Sequence, residues 1–334
     1  MSTTRFLATL EMTNKNTVIS RPRRPRDLAF MAIFGIIFST SIGFAADKSG
    51  LMKEGDRAYF QGNIQKSLEY YEQAAKVDPK DYTVFQSLGV TYAETGQWEK
   101  AIDNLQRSLA IDPQRAEAYV NLSLVYASKE DFKRSEEFAE KAIRLDPKRP
   151  GAYQALGEAY EGLGETDRAI AAYKRGLAAD ANNANLHLAL GNIYSKQAKF
   201  DQAIGSYEKT IQADPKSVFA YSNAAYVYQE EGNWAKAEEY FLKAVEVAPE
   251  DELAWYDLGA VYGKEDKIDL AVKAYEKSFS INSKNYKTCL ALALMYERKR
   301  DLKKAAEHYT KALSLTDDPK LKDAILKLIT STSS

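Results

Sequence analysis

One spacing runs through this chain. Counting forward from Ala101 in steps of 34 residues finds Ser135, Ala169, Ala203, Ala237, Ala271 and Ala305, and one step back finds Ser67. These eight small residues share a register with no insertion between them. A fixed period of this length constrains the fold more tightly than composition does. Each copy is one supersecondary unit that buries its apolar face by stacking on the next copy.

The frame sets eight units at residues 48–81, 82–115, 116–149, 150–183, 184–217, 218–251, 252–285 and 286–319. The eighth residue of each is small: Gly55, Gly89, Ser123, Gly157, Gly191, Ala225, Gly259 and Ala293. The eleventh is tyrosine from Tyr92 to Tyr296, with Ala58 the exception. The twenty-fourth is Tyr71, Leu105, Ala139, Tyr173, Tyr207, Phe241, Tyr275 and Tyr309. Phe138 stands one place before Ala139, which leaves room for a one-residue adjustment in the third unit. Two helices cross closely only where one lacks a bulky side chain. The small eighth and twentieth positions supply that approach, and the aromatics fill the space beside it. Gly62, Gly96, Gly164 and Gly232 fall at the turn between the helices, where a helix-ending residue takes positive φ. Prolines such as Pro79, Pro113, Pro147, Pro215 and Pro249 end the second helix, since they cannot donate the next hydrogen bond.

This pattern of small and aromatic positions resembles the tetratricopeptide repeat family, over about four-fifths of the chain (residues 47–319). The resemblance implies an all-α solenoid of eight helix–turn–helix units in a right-handed superhelix, with a concave groove lined by the first helix of each unit. It also implies that the second, fifth, ninth, twelfth and thirteenth residues of each unit face that groove. On these grounds the partner-facing residues are Val90, Val120, Leu124, Leu188, Asn192, Phe219, Tyr226, Leu253, Tyr256, Leu290 and Leu294. The frame does not need them for packing, so Tyr226 and Tyr256 are expected to be dispensable for folding, in a patch without charge. The chaperone-tail clamp of some family members needs basic and asparagine residues in three consecutive units, and that set is absent here.

Composition narrows the function. Forty-six basic and 47 acidic residues leave a net charge of −1, which gives no global electrostatic case for nucleic acid. The one cysteine, Cys289, excludes an intramolecular disulfide and a cysteine-ligated metal site; it stands where other units carry aromatics and reads as a packed thiol. His187 holds the same fourth position and reads as packing, whereas His308 is expected to face solvent. No phosphate-binding loop, zinc pattern or nucleophile elbow occurs, so the chain reads as a non-enzyme with no cofactor and no metal.

The two ends depart from the repeat. Arg21, Arg23, Arg24 and Arg26 precede an apolar run at 28–38 and the small residues Gly43 and Ala45. This is the layout of a secretory signal peptide cleaved after Ala45; Met12 is an alternative start. The competing reading is an uncleaved anchor, because residues 28–46 are long enough to span a bilayer. Either way residues 1–46 export the repeats, to the periplasm or to the outer side of the inner membrane. No cysteine follows the apolar run, which rules out a lipoprotein. At the other end, residues 320–330 read as a capping helix, with Leu321, Ile325 and Leu328 on one face and Asp318-Pro319 at its start. The functional expectation is a scaffold or adaptor that holds a protein or peptide partner in its groove, within an envelope-associated assembly. The alternatives are an arm delivering substrate to a catalytic partner, or a homo-oligomer.

Overall fold

The computed structural model describes residues 47–332. The expectation of a signal peptide or anchor in residues 1–46 lies outside the described residues. Among the described residues no helix is long and apolar enough to cross a membrane.

Seventeen helices occupy the described residues. Eight consecutive pairs are α1 (Lys48–Phe60) with α2 (Ile64–Val77), α3 (Tyr82–Glu94) with α4 (Trp98–Ile111), α5 (Ala116–Ser128) with α6 (Phe132–Leu145), α7 (Pro150–Gly162) with α8 (Thr166–Ala179), α9 (Ala184–Lys196) with α10 (Phe200–Ala213), α11 (Val218–Glu230) with α12 (Trp234–Val247), α13 (Glu252–Lys264) with α14 (Ile268–Ile281), and α15 (Tyr286–Arg298) with α16 (Leu302–Leu315). The last helix is α17 (Pro319–Thr332). The first helix of every pair, its A helix, begins on the first residue of its unit, and the second, its B helix, on the seventeenth. The third unit therefore keeps the register, and no one-residue adjustment occurs there. Ala139 remains at the crossing and is fully buried, while Phe138 lies flat on the ring of Tyr126 at 5.3 Å between centroids. The described residues divide into two compact bodies, 47–189 and 190–332, with the division inside α9.

In the first body the twentieth residues Ser67, Ala101, Ser135 and Ala169 are all wholly buried. The eighth position is closed by its partner sixteen residues on. A Cβ on Gly55 would stand 2.4 Å from the Tyr71 ring, and one on Gly157 would stand 2.2 Å from the Tyr173 ring. The third unit solves the same crossing with two serines: Ser123 Oγ donates to the Ser135 carbonyl at 2.8 Å. The loops are built on the aspartate before each proline. Asp78, Asp112 and Asp146 accept the backbone N–H two residues on, and Arg115 and Arg149 donate back to Asp112 and Asp146. The fourth position ties the A helix to the loop before it. Tyr153 donates to the Pro147 carbonyl at 3.0 Å, and His187 Nε2 lies 2.9 Å from the Ala181 carbonyl.

The second body repeats these devices. Ala203, Ala237, Ala271 and Ala305 are wholly buried, and a Cβ on Gly191 would meet the Tyr207 ring at 2.5 Å. Trp255 Nε1 donates to the Pro249 carbonyl at 2.9 Å. In α15 every residue from Thr288 to Tyr296 is buried, Cys289 among them. Burial pushes the Cys289 thiol up, which keeps it protonated and inert. α17 packs on α16 with Ile325 fully buried, while Leu321 and Leu328 are half-buried and Leu326 is exposed. Asp318 caps α17 by accepting from Lys320 N at 2.9 Å.

Two expectations change. The turn residue with positive φ is glycine in four units, but Glu130, Ala198, Asp266 and Arg300 hold the same conformation in the others, at φ 61, 54, 61 and 62°. The neighbouring helices fix the turn strongly enough to impose a left-handed residue that costs about 1–2 kcal/mol. His308 does not face solvent. It is half-buried, stacked on Tyr296 with the planes 8° apart and edge-on to Phe279.

Replacing Ala203 or Ala237 by leucine overpacks a crossing and is expected to cost about 1–3 kcal/mol in chemical denaturation; melting like the parent would misplace the frame. Burial holds the His308 imidazole below its ordinary range, more than offsetting the nearby Glu307 and Glu276. The unfolded chain then binds the proton first, so stability is lost as pH falls through about 6.5 towards the lowered folded value. Denaturation midpoints from pH 8 to 5 are expected to fall more steeply for the parent than for His308→Phe, and equal slopes would refute this.

Candidate functional site

The A helices carry the residues that packing does not consume. Their facing lines are joined by contacts at a constant offset. In the second body Asn223 Nδ2 donates to Asn192 Oδ1 at 2.8 Å, and the Tyr226 hydroxyl donates to the Asp257 carboxylate. Each pair joins the ninth residue of one unit to the sixth of the next, 31 positions on. Asn192 Oδ1 also accepts from the Tyr207 hydroxyl at 3.0 Å, which ties this line to the aromatic of the crossing. In the first body Tyr71 reaches Asp56 in the same way at 2.6 Å. Burial raises the Asp56 carboxyl against the lowering effect of that hydroxyl.

The residues expected to face a partner divide into three groups. Phe219 and Leu253, the second residues of consecutive units, are exposed at 36% and 39%. Val90, Leu124, Leu188, Asn192, Tyr226 and Tyr256 are half-buried, partly given to neighbouring helices, and Val120 is at the edge of burial with 9% exposure. Leu290 and Leu294 are buried, at 0% and 4% exposure, and are not available to a partner. They belong to a stretch of α15 with no open face, and they complete the core of the last repeat.

The tyrosines also differ from expectation. Tyr226 packs edge-on against Phe241 at 5.3 Å and hydrogen-bonds Asp257, which is only 7% exposed. Tyr256 lies 5.4 Å from the Tyr275 ring. Both are therefore structural as well as superficial, and the patch carries a carboxylate. A pairing 31 residues apart has no signature in the repeat frame, and only the folded register reveals it.

His187 is spent on a loop carbonyl and His308 on aromatic stacking. Among the described residues no group of three His, Cys, Asp or Glu side chains is placed to hold a metal ion.

Comparison with known proteins agrees with this geometry. Two tetratricopeptide repeat models match residues 52–81 and 81–148. A third model, the cilia and flagella-associated protein 70 C-terminal domain, matches residues 146–333. The chain belongs to the tetratricopeptide repeat family. No curated protein matches it in sequence. Among solved structures, the APC/C hetero-tetramer Cut9-Hcn1 is similar at TM-score 0.55 and 17% identity, over 86% of this chain and 56% of the matched one. PilF of Pseudomonas aeruginosa is similar at TM-score 0.55 and 20% identity, over 64% of this chain and 97% of its own. The MamA protein is 30% identical over 50% of this chain and 91% of its own, at TM-score 0.42. This chain thus spans little more than half the length of the first of these. The likenesses at 17% and 20% identity establish the fold. A tetratricopeptide repeat solenoid is a protein-interaction scaffold in general terms, and the repeat is typically non-catalytic.

Removing the Tyr226 hydroxyl deprives a buried carboxylate of a donor. Tyr226→Phe is expected to lower stability by about 1–3 kcal/mol, read in urea; an unchanged midpoint would mean that the Asp257 contact contributes nothing.

Proposed function

We propose that this chain is a non-enzymatic scaffold that holds a protein or peptide partner along the A-helix face of its repeats, on the outer side of the cytoplasmic membrane. The observation that carries the binding reading is the exposure of Phe219 and Leu253. They occupy equivalent places in adjacent units and keep apolar surface in contact with water. Exposed apolar surface at such positions marks an interaction site, and aromatic side chains tend to dominate interface energetics. The export reading rests on the sequence of residues 21–46, with its arginines, apolar run and small residues.

The two parts have separate tests. Phe219→Ser combined with Leu253→Ser is expected to abolish partner cross-linking from a photoreactive residue at the exposed position 216 while the melting temperature stays within about a degree, since both side chains are already exposed. Undiminished cross-linking in the folded double variant would remove this patch from the binding site. A C-terminal phosphatase fusion is expected to be active only outside the cytoplasm; cytoplasmic accumulation of the full-length protein would refute export. N-terminal sequencing then separates cleavage near Ala45 from retention of the arginines.

A further inference from the structure

One edge of the first body is built from the ends of the B helices, the loops that follow them and the starts of the A helices. Two sets of contacts fix it. Ser108, near the end of α4, donates to the Tyr82 carbonyl at the start of α3 at 2.9 Å. Lys48, the first residue of α1, donates to Asp78 at 3.1 Å and to Asp81 at 2.6 Å in the loop after α2. The chain therefore enters the repeats at this edge, with Asp47 as the N-cap of α1. The apolar run at 28–38 and the small residues up to Ala46 come immediately before that cap in sequence.

The thirtieth residues of the first three units leave aliphatic side chains in water along this edge. Val77, Ile111 and Leu145 are exposed at 55%, 38% and 36%. The frame does not require that exposure. In the second body the same place holds the small Ala213, and Val247, Ile281 and Leu315 are half-buried. The charges around the row are also unbalanced. The loop aspartates are already paired, Asp78 and Asp81 with Lys48, Asp112 with Arg115 and Asp146 with Arg149. Lys76, Lys80, Arg107 and Lys148 each lie within four residues of the row and have no ion pair among the described residues. Arg107 lies over the Phe85 ring at 4.4 Å, which leaves its charge intact. Against these four cations the edge sets two carboxylates without a cation, Asp47 and Glu117.

Resting on the reading that residues 28–46 bring the repeats to a membrane, we propose that this edge of the first body lies on an anionic lipid surface. Val77, Ile111 and Leu145 enter the headgroup layer, and Lys76, Lys80, Arg107 and Lys148 meet the lipid phosphates. Binding of this kind scales with buried apolar area plus attraction to anionic lipid, and the edge offers both. Tethering through residues 28–46 holds the edge at high effective concentration, since only Asp47 separates that segment from α1. The opposite edge supplies a control. Phe60, exposed at 69%, ends α1 about 18 Å from Lys48 at 1.5 Å per residue. A membrane that took any exposed apolar side chain would reach it equally.

The test uses full-length protein with vesicles of phosphatidylcholine, alone or with about a third phosphatidylglycerol, that carry a nitroxide on the headgroup. A thiol-linked fluorophore is placed by Gln114→Cys, beside Ile111, or by Gln61→Cys, beside Phe60; both positions are exposed, and Cys289 is buried. In anionic vesicles the label at 114 is expected to be quenched at least twofold more than the label at 61, and salt is expected to reduce the difference. Two sets of substitutions are each expected to abolish it: Val77→Ser with Ile111→Ser and Leu145→Ser, and Lys76→Gln with Lys80→Gln, Arg107→Gln and Lys148→Gln. Equal quenching at 114 and 61 in vesicle-bound protein, or a difference that survives either set, would overturn the proposal and leave the row to a protein partner. Flotation tests the underlying reading separately. Protein that floats with neutral vesicles is held by the apolar run. Protein left behind there, yet floated and quenched at 114 with anionic vesicles, keeps the edge contact and removes the anchor. Protein that floats with neither loses both.

Discussion

The close approach of each A helix to its own B helix is the constraint on which the rest depends. At Gly157 the backbone of α7 lies so near the Tyr173 ring that a single added carbon would sit 2.2 Å from it. Dispersion in such a contact is individually weak, but an aromatic ring packed against bare backbone leaves no void and excludes water. Once that crossing is set, the twentieth position must be small, and Ala169 and Ala203 are wholly buried in consequence. The aromatic of the crossing then sends its hydroxyl to the A-helix face, as Tyr71 does to Asp56 and Tyr207 to Asn192. Packing and presentation are thus linked through one side chain.

The same link explains what the binding face has to work with. Some apolar residues of this face remain exposed, as Phe219 and Leu253 do. Residues recruited by a crossing or by the next unit are only half available, as with Tyr226 on Asp257. Nearest-neighbour architecture of this kind lets the face vary while the frame stays fixed. In the second body the variation leaves apolar side chains standing in water.

The frame was legible because it is written in volume. A glycine at the eighth place and a ring at the twenty-fourth are visible in the letters, and the helices start where that spacing puts them. Three kinds of feature were not legible. Back-bonds from the fourth position to a loop carbonyl, made by Tyr153, His187 and Trp255, use chemically different residues for one task and so leave no common letter. The positive φ of Ala198 and Arg300 is imposed by neighbouring helices against local preference. The burial of Leu290 and Leu294 depends on α15 being buried along its whole middle, which a position-by-position rule drawn from interior units does not anticipate.

Ring against backbone, within one unit, sets the crossing. A double-mutant cycle on Gly157 and Tyr173 measures this directly in urea denaturation. Alanine is the better helix former by about 1 kcal/mol, so Gly157→Ala should stabilise wherever space exists. With Tyr173 present Gly157→Ala is expected to destabilise, and in the Tyr173→Ala background, which copies the Ala139 of the third unit, the same change is expected to stabilise. An identical effect of Gly157→Ala in both backgrounds would contradict the claim.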